Sequence, residues 1–316
     1  TVEVRYKSIL ARHLLNIGSL LLGRFGCQGC LWCFKKFLED NTYRELLHLN
    51  PDIIISCGSS LAAVNLILSR QNRASSVVVM RPGLLPLKNF DLVIIPAHDK
   101  PPSLNNIVVI DGALSEFNKP RLKEQGDLML KELSGRKILL REHCIGLLLG
   151  GDMKKFRLDP DKVAIVIREV KELAQRLDFD ILVTTSRRTS KQVEDLVRSQ
   201  LSGFERCKFM VIANEKNYDF ASGGIIDLSS IVVVSAESIS MISEASSGEK
   251  YVFVFNLTGL AGKHRVFIDN LVDKKYIYLS EPHELCRKAI DLWSKRPAVE
   301  IPNNLLTIKE ALRRLL

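Results

Sequence analysis

Short apolar runs recur along the chain, and most are followed at once by glycine, hydroxyl or charged residues. Runs of this kind without alternation are typical of strands that are buried on both faces of a parallel sheet. The stretches between them place apolar residues every three or four positions, which predicts helices. The pattern therefore predicts an α/β fold with strands at residues 52–56, 77–80, 91–95, 107–111, 145–149, 180–184, 209–212, 231–234, 251–255 and 276–279.

The strand and helix pattern restarts near residue 136, which divides the chain into two α/β halves. In the second half, Asp159 and Pro160 have the residue types of a helix cap and a first helical position. We therefore expect two Rossmann-like domains with parallel sheets flanked by helices. Ligands bind such sheets beyond the carboxyl ends of the strands, so the expected site is a cleft across which the domains face each other. The expected bounds are residues 1–136 and 137–296, with a terminal helix at residues 297–316.

The first forty residues differ from this pattern. Residues 1–6 alternate apolar and polar side chains, which predicts a half-buried strand, and we expect a first βα unit upstream of Thr1. Residues 9–38 are apolar, basic and aromatic, and glycines interrupt them. This composition is typical of a patch that binds an anionic membrane surface. The alternative is a helical hairpin buried in a core or an oligomer.

Cys27, Cys30 and Cys33 have the spacing C-x-x-C-x-x-C, which can hold an iron–sulfur cluster or zinc if a fourth ligand is present. No fourth ligand follows in the motif, so we expect packed free thiols, no metal and no cofactor. The seven cysteines are odd in number, which argues against a secreted disulfide framework. No run of about 18 apolar residues predicts a spanning helix. We expect a cytoplasmic protein, peripheral on the inner face of the cytoplasmic membrane.

The net charge of the 316-residue chain is +9, which favours an anionic partner. The basic residues are scattered and do not alternate with aromatic residues as they do on RNA-binding surfaces, so nucleic acid is not expected. A phosphorylated ligand or an acidic membrane surface fits the charge better.

Three strand ends in the second half carry residues suited to a nucleotide diphosphate. Residues 231–248 combine a strand, a hydroxyl-rich turn and a helix, whose N-terminus attracts anions. An ordinary capped helix is the alternative. A glycine pair permits close backbone approach, arginines are forked donors for phosphate, and a carboxylate can hold ribose hydroxyls. The predicted binding residues are Gly150, Gly151, Asp152, Ser186, Arg187, Arg188, Glu237, Ser238, Ser240, Met241, Glu244, Lys263 and Arg265.

Two further segments contribute to this prediction. Lys263 and Arg265 follow glycine-rich residues 259–262, and we interpret them as a basic loop suited to an anionic leaving group. A solvent-exposed loop is the alternative. In the first half, His98 and Asp99 follow a predicted strand. A histidine near a carboxylate can take a proton from an acceptor hydroxyl near neutral pH, so His98 is the predicted base.

Seven short motifs follow one another along the chain: SCGSS (56–60), MRP (80–82), FDLVIIPAHD (90–99), DGA (111–113), GGD (150–152), TTSRRT (184–189) and SAESISMISEA (235–245). In this order they resemble the mitochondrial-fission, elongated-mitochondria protein family, whose bacterial members resemble GT-B glycosyltransferases. The resemblance covers residues 52–279. It implies two Rossmann-like domains, a nucleotide-sugar donor in the C-terminal one, and no required metal. The family's glycine-rich D-G-x-x-G-H-like opening turn is absent here.

These observations leave three functions open. The first is a metal-independent GT-B glycosyltransferase that acts on a membrane-associated or envelope acceptor. In it, Arg187, Arg188, Ser238, Ser240 and Met241 hold the donor diphosphate, and Glu237 or Glu244 holds the ribose. The second is a non-catalytic GT-B scaffold that binds a partner protein or a membrane. The third is a sugar-nucleotide epimerase, which shares this architecture. Neither a Walker motif nor G-x-G-x-x-G is present, which excludes a standard NTPase or dinucleotide enzyme.

Overall fold

The computed structural model describes residues 1–22, 30–153, 156–255 and 259–315. Its strands form two sheets, and every strand pair in both sheets is parallel. The predicted α/β fold with parallel sheets flanked by helices is therefore confirmed. The strands are β1 (Ile53–Cys57), β2 (Ser75–Val79), β3 (Leu92–Pro96), β4 (Ile107–Ile110), β5 (Cys144–Leu148), β6 (Asp180–Thr184), β7 (Cys207–Val211), β8 (Ile231–Ser235), β9 (Tyr251–Phe255) and β10 (Tyr278–Ser280).

Helices connect and follow these strands. They are α1 (Ile9–Leu22), α2 (Cys30–Phe37), α3 (Asp40–Leu47), α4 (Ala62–Asn72), α5 (Lys119–Gly135), α6 (Pro160–Leu177), α7 (Lys191–Leu201), α8 (Ala221–Leu228), α9 (Ile239–Ser246), α10 (Lys263–Asp273), α11 (Leu285–Lys295) and α12 (Asn304–Arg313). The cap of α6 is as predicted, because the Asp159 side chain accepts a hydrogen bond from the amide of Asp161 and Pro160 starts the helix.

The chain divides into two compact units, and the division differs from the predicted domain bounds. The first unit contains Thr1–Ile110 and Asn303–Leu316, and the second contains Asp111–Pro302. The boundary falls before α5 rather than at residue 136 because α5 packs along α8 inside the second unit. The helices touch at glycines, since a Cβ on Gly126 would lie 2.0 Å from an oxygen of Asp227.

The first unit is built on a four-stranded sheet with the order β1-β2-β3-β4. The terminal helix α12 belongs to this unit, because Ala311 is buried with Ile94 and Ile110 of the sheet. On α4, the buried Asn65 donates from Nδ2 to the carbonyl oxygens of Ile54 at 3.0 Å and Val77 at 2.8 Å. This side chain ties the helix to β1 and β2.

The second unit is built on a six-stranded sheet with the order β10-β9-β8-β5-β6-β7. The residues of β5, β6, β8 and β9 are all buried, which matches their continuous apolar sequences. The chain moves outward from β5 in one direction to β6 and in the other direction to β8. This reversal is a topological switch point, where α/β sheets bind ligands. It places the candidate site at the carboxyl ends of β5, β6 and β8.

Two predicted elements differ in the structure. Residues 1–6 form no strand of either sheet; an isolated bridge joins Tyr6 to Leu38, and the carbonyl of Arg5 accepts from the amide of Glu39. The segment is therefore bonded to helix ends instead of to a neighbouring strand. Lys263 and Arg265 lie in the first turn of α10 and not in a loop, because their sequence continues with apolar residues at helical spacing, of which Phe267 and Leu271 are buried.

The predicted cysteine cluster lies outside the described residues, since Cys27 and the side chains of Cys30 and Cys33 are not described. Across the parts of the chain that are described, no helix is both long enough and apolar enough to span a membrane.

Candidate functional site

A cavity of about 780 Å³ lies in the second unit and is lined by the residues that follow β6 and β8 and by parts of α5 and α8. Its size falls within the range of small-molecule sites. Its lining residues are Glu116, Arg121, Gln125, Thr184, Thr185, Ser186, Arg187, Arg188, Ala213, Asn217, Tyr218, Asp219, Ala221, Ser222, Ser238, Ser240, Met241 and Glu244.

The turn after β5 packs against the other two strand ends. The amide of Gly150 donates to Ser235 Oγ at 2.8 Å, and Ser235 Oγ donates to Glu237 Oε1 at 2.7 Å. A Cβ on Gly150 would lie 2.1 Å from Glu237 Oε1, and a Cβ on Gly151 would lie 2.2 Å from the carbonyl oxygen of Arg188. Only glycine leaves room for these contacts, so the predicted close approach occurs between parts of the chain itself.

The loop after β6 is fixed by its own hydroxyl groups. Thr189 Oγ1 accepts from the amide of Ser186 at 2.9 Å and donates to the carbonyl of Gly150, and Ser186 Oγ accepts from the amide of Arg188 at 3.1 Å. The side chains of Arg187 and Arg188 are exposed at the cavity wall. Within the described ranges, neither guanidinium forms a salt bridge with a carboxylate, so both charges are available to an anion.

The N-terminus of α9 faces the same part of the cavity. Ser238 is its cap residue, and its hydroxyl accepts from the amide of Met241. Ser240 and Met241, in the first turn, line the cavity. The positive end of the helix dipole therefore adds to the charges of Arg187 and Arg188, which makes this end of the cavity suited to an anion.

The cavity wall also carries amide and carboxyl groups. Glu244 Oε2 accepts from Ser222 Oγ at 2.9 Å, and burial raises the pKa of Glu244, with the nearby Glu116 charge adding to the increase. Gln125 on α5 is 4% exposed. Acceptors and amides of this kind suit hydroxyl and N–H groups of a ligand.

Glu237 differs from Glu244 in both position and environment. It is 1% exposed and does not line the cavity, since it lies behind the Gly150 turn. Burial raises the pKa of Glu237 to about 7; the Ser235 hydroxyl, nearby backbone amides and the Arg188 charge limit the increase. Among the described residues, Oε2 of Glu237 has no hydrogen-bond partner.

The structure gathers seven of the predicted binding residues at the cavity: Ser186, Arg187, Arg188, Ser238, Ser240, Met241 and Glu244. Gly150, Gly151 and Glu237 do not line the cavity but pack against residues that do. Asp152 does not line the cavity, because its Oδ1 accepts from the amide of Leu158 at 3.0 Å. Lys263 and Arg265 are also outside the cavity wall, and Arg265 forms a salt bridge with Asp269 on α10 at 2.9 Å.

The predicted acid/base pair lies in the first unit. His98 and Asp99 form a 3₁₀ turn directly after β3, and His98 is buried. Arg81 donates to the carbonyl oxygens of Asp99 and Lys100, both at 2.9 Å, and fixes this turn. Their role in proton transfer stays a prediction. In the portion of the chain with described positions, no three His, Cys, Asp or Glu residues form a group that could hold a metal ion.

Sequence reasoning missed one wall of the cavity, which is formed by Glu116, Arg121, Gln125, Tyr218, Asp219 and Ser222. The sequence of α8 contains Gly223-Gly224, and glycine is a poor helix former. The structure needs glycine there for helix packing, because a Cβ on Gly223 would lie 2.1 Å from Gln125 Oε1. The sequence signal for this packing was a pair of adjacent glycines on one helix and a small residue on the helix that faces it.

The two parallel α/β units give the chain a type of fold that a solved sugar-nucleotide epimerase shares. The crystal structure of UDP-GlcNAc 2-epimerase from Neisseria meningitidis bound to UDP-GlcNAc is 15% identical, covers 86% of this chain and 78% of that chain, and gives a TM-score of 0.51. A glycosyltransferase from Rickettsia africae ESF-5 is 12% identical, covers 98% of this chain and 77% of that chain, and gives a TM-score of 0.44.

Within this type, the chain belongs to the mitochondrial fission ELM1 family, whose sequence model matches residues 23–303. The resemblance seen in the ordered motifs is thereby confirmed. A relative in Rickettsia prowazekii (strain Madrid E), the uncharacterized protein RP120, is 26% identical over 272 residues, which are 73% of this chain and 74% of that protein.

Proposed function

We propose that this protein binds a nucleotide sugar in the cavity of the second unit and transfers the sugar, without a metal, to a membrane-associated or envelope acceptor. The observation that carries the proposal is the position and polarity of the cavity. It lies at the switch point of the sheet, and its lining contains two arginines, a helix N-terminus and a half-buried carboxyl group. A nucleoside diphosphate complements these groups, because its phosphates are negatively charged and its ribose hydroxyls can donate to a carboxylate.

The polarity of the cavity suggests how the ligand is oriented. The diphosphate would contact Arg187, Arg188 and the first turn of α9, where the hydroxyl of Ser240 is also available. The ribose hydroxyls would donate to Glu244, which lines the cavity, whereas Glu237 does not. This orientation uses Glu244 rather than Glu237, the alternative that the sequence left open.

Sugar transfer leaves a nucleoside diphosphate with one more negative charge at the broken bond. Fixed donors that meet this charge lower the barrier, and two arginines with a helix N-terminus can supply them without a metal ion. Deprotonation of the acceptor hydroxyl needs a base, for which His98 remains our prediction.

Calorimetry on the purified chain with UDP, GDP, CDP and their common sugar conjugates tests binding. We expect one nucleotide to bind, and Arg188→Ala to weaken it by about tenfold to a hundredfold, because a charge-assisted hydrogen bond is lost. Arg265→Ala is the matched control, since this arginine is paired with Asp269 away from the cavity. Equal effects of the two changes, or no binding by any nucleotide, would refute the proposal.

Product analysis separates the remaining functions. Incubation of the bound nucleotide sugar with membrane extract should release the nucleoside diphosphate and label an acceptor if the protein is a transferase. An epimerase would instead interconvert two sugar nucleotides without an acceptor, which NMR of the sugar detects. Binding without either reaction would leave a non-catalytic scaffold.

A second proposal concerns membrane attachment through α1. Leu10, Leu14, Ile17 and Leu20 lie on one face of this helix and are 66%, 45%, 46% and 38% exposed. An apolar helix face next to basic residues such as Arg12 fits an anionic lipid surface. Flotation with phosphatidylglycerol vesicles should recover the protein. Changing Leu10, Leu14 and Ile17 together to serine should abolish the recovery, and unchanged flotation would refute the attachment.

A further inference from the structure

The inference concerns Glu237, which the proposed ligand orientation leaves without a role. The carboxyl group lies where three strand ends meet behind the anion end of the cavity. Through Ser235 Oγ it is linked to the amide of Gly150, and its own residue directly precedes Ser238, the cap of α9. A Cβ on Gly150 would lie 2.1 Å from Oε1, so the turn is in direct contact with the carboxyl group.

One oxygen of this carboxyl group lacks a hydrogen-bond partner among the described residues. Ser235 donates to Oε1 at 2.7 Å, whereas no described residue forms a hydrogen bond with Oε2. A buried carboxylate with an unpartnered oxygen is costly, and the cost is removed when the group takes up a proton. The group is thus able to change its charge without a change in the fold.

Charged and titratable groups near Glu237 come from three other elements. The Arg188 guanidinium, from the loop after β6, favours the charged form. From α10, Nε2 of His264 lies 3.2 Å from the backbone carbonyl oxygen of Glu237. Asp152, after β5, is bonded to the amide of Leu158, so its carboxylate is engaged elsewhere.

We propose that Glu237 is a positioning residue whose protonation is coupled to diphosphate binding: the ligand binds best when Glu237 is neutral, and binding draws a proton onto it. The inference rests on the proposed function. A diphosphate at Arg188 and the start of α9 neutralises the arginine charge that favours ionised Glu237 and adds negative charge of its own. The proton comes from solvent, and no covalent bond forms or breaks. Neutral Glu237 keeps Oε1 as the acceptor for Ser235, so the Gly150 turn retains its position.

The experiment measures the affinity of the whole chain for UDP-N-acetylglucosamine by calorimetry between about pH 6 and about pH 8.5. The diphosphate of this probe is a diester and does not titrate in that range, so a pH effect belongs to the protein. We expect the affinity to fall about tenfold across the range, because ionised Glu237 must first be protonated. Titration in two buffers of different ionisation enthalpy should show proton uptake near the upper end.

Variants identify the group that takes up the proton. Glu237→Gln is neutral at every pH and should flatten the affinity profile to less than about a twofold change. His264→Gln should keep the slope, because the neighbouring histidine is not its source. Glu249→Gln changes an exposed glutamate and is the matched control.

The outcomes separate the two proposals. If the probe and the other nucleotides fail to bind, the proposed function is refuted, and the inference that rests on it is refuted too. If the probe binds with an affinity independent of pH and without proton uptake, the role of Glu237 is overturned while the function stands. If Glu237→Gln does not fold, the proton-uptake measurement on the unchanged protein still decides the inference.

Discussion

The two units of the chain share a parallel sheet flanked by helices, but their first strands end in different ways. Gly58, after β1, has a φ of +76° and open space around its Cα, whereas Gly151, after β5, is in contact with the backbone of Arg188. The first glycine is needed for its conformation and the second for room. The comparison shows that the glycine of the second turn is in close contact with another strand end, and the cavity forms beside this contact.

The edge strands of the first sheet are more exposed than the central strands of the second. Ile55 of β1 is 60% exposed and Val109 of β4 is 47% exposed, whereas the residues of β5, β6 and β8 are all buried. Strands that are buried on both faces hold their ends in fixed positions, which a binding site requires. We therefore expect substitutions at the ends of β5, β6 and β8 to change ligand binding and stability together, and those within the first sheet to change stability without changing nucleotide affinity.

The largest expected effect is that of Gly151→Ala. The new Cβ would lie 2.2 Å from backbone atoms of Arg188, so the loop after β6 must move. We expect a loss of about 3 kcal/mol in the free energy of unfolding and no detectable nucleotide binding. Urea denaturation and calorimetry measure the two effects. A variant with normal affinity would show that the contact between the turns does not form the site.

Asn65→Ala should have the next largest effect, in the first unit. The change removes three hydrogen-bond contacts of a buried amide to β1 and β2. We expect a loss of about 2 to 3 kcal/mol in stability, detected by urea denaturation, because the contacts of a buried amide are lost. Nucleotide affinity should be unchanged below the transition, and a reduced affinity would contradict the division of roles between the units.

Glu237→Gln should stabilise the protein in a pH-dependent way. Because the folded-state pKa is raised from 4.5 to about 7, the wild-type protein is most stable with Glu237 protonated. That contribution is complete below the ordinary pKa and is lost as the pH rises through about 7. The variant should therefore exceed wild type by about 3 kcal/mol at about pH 8 and match it at about pH 4. Equal differences at both pH values in urea denaturation would rule out this titration.

Gly58→Ala should have the smallest effect. Its positive φ disfavours alanine, but the surroundings leave space for a Cβ. We expect a loss of about 1 kcal/mol in urea denaturation, because only backbone strain is added. A loss as large as that of Gly151→Ala would remove the contrast between the two turns.

Much of the fold follows from local patterns in the sequence. The buried strands differ from their predicted positions by at most two residues at either end; β6 and β9 coincide with them, because continuous apolar runs have few alternative structures. Helix α6 was predictable from its cap residues and its apolar stripe. The arginine loop and the hydroxyl-rich start of α9 were predictable as parts of one site, because parallel strands end at the same edge of a sheet.

The remaining differences depend on tertiary contacts. Helix α8 contains Gly223 and Gly224, which are poor helix formers, and packing against α5 overrides that propensity. The same packing brings Gln125 and Arg121 to the cavity, from a helix that the sequence pattern assigned to the other half. Which of Glu237 and Glu244 lines the cavity also required coordinates, because their sequence positions do not show which one a glycine turn covers.

The membership of α12 in the first unit has a consequence for folding during synthesis. The second unit, Asp111–Pro302, is an insertion between two parts of the first, and the core around Ile94 and Ile110 lacks Ala311 until synthesis has passed that residue. The second unit can therefore fold as soon as it leaves the ribosome, while one face of the first unit's sheet is still uncovered. A chain stopped after Pro302 would keep the cavity residues and expose that apolar face to chaperones and proteases.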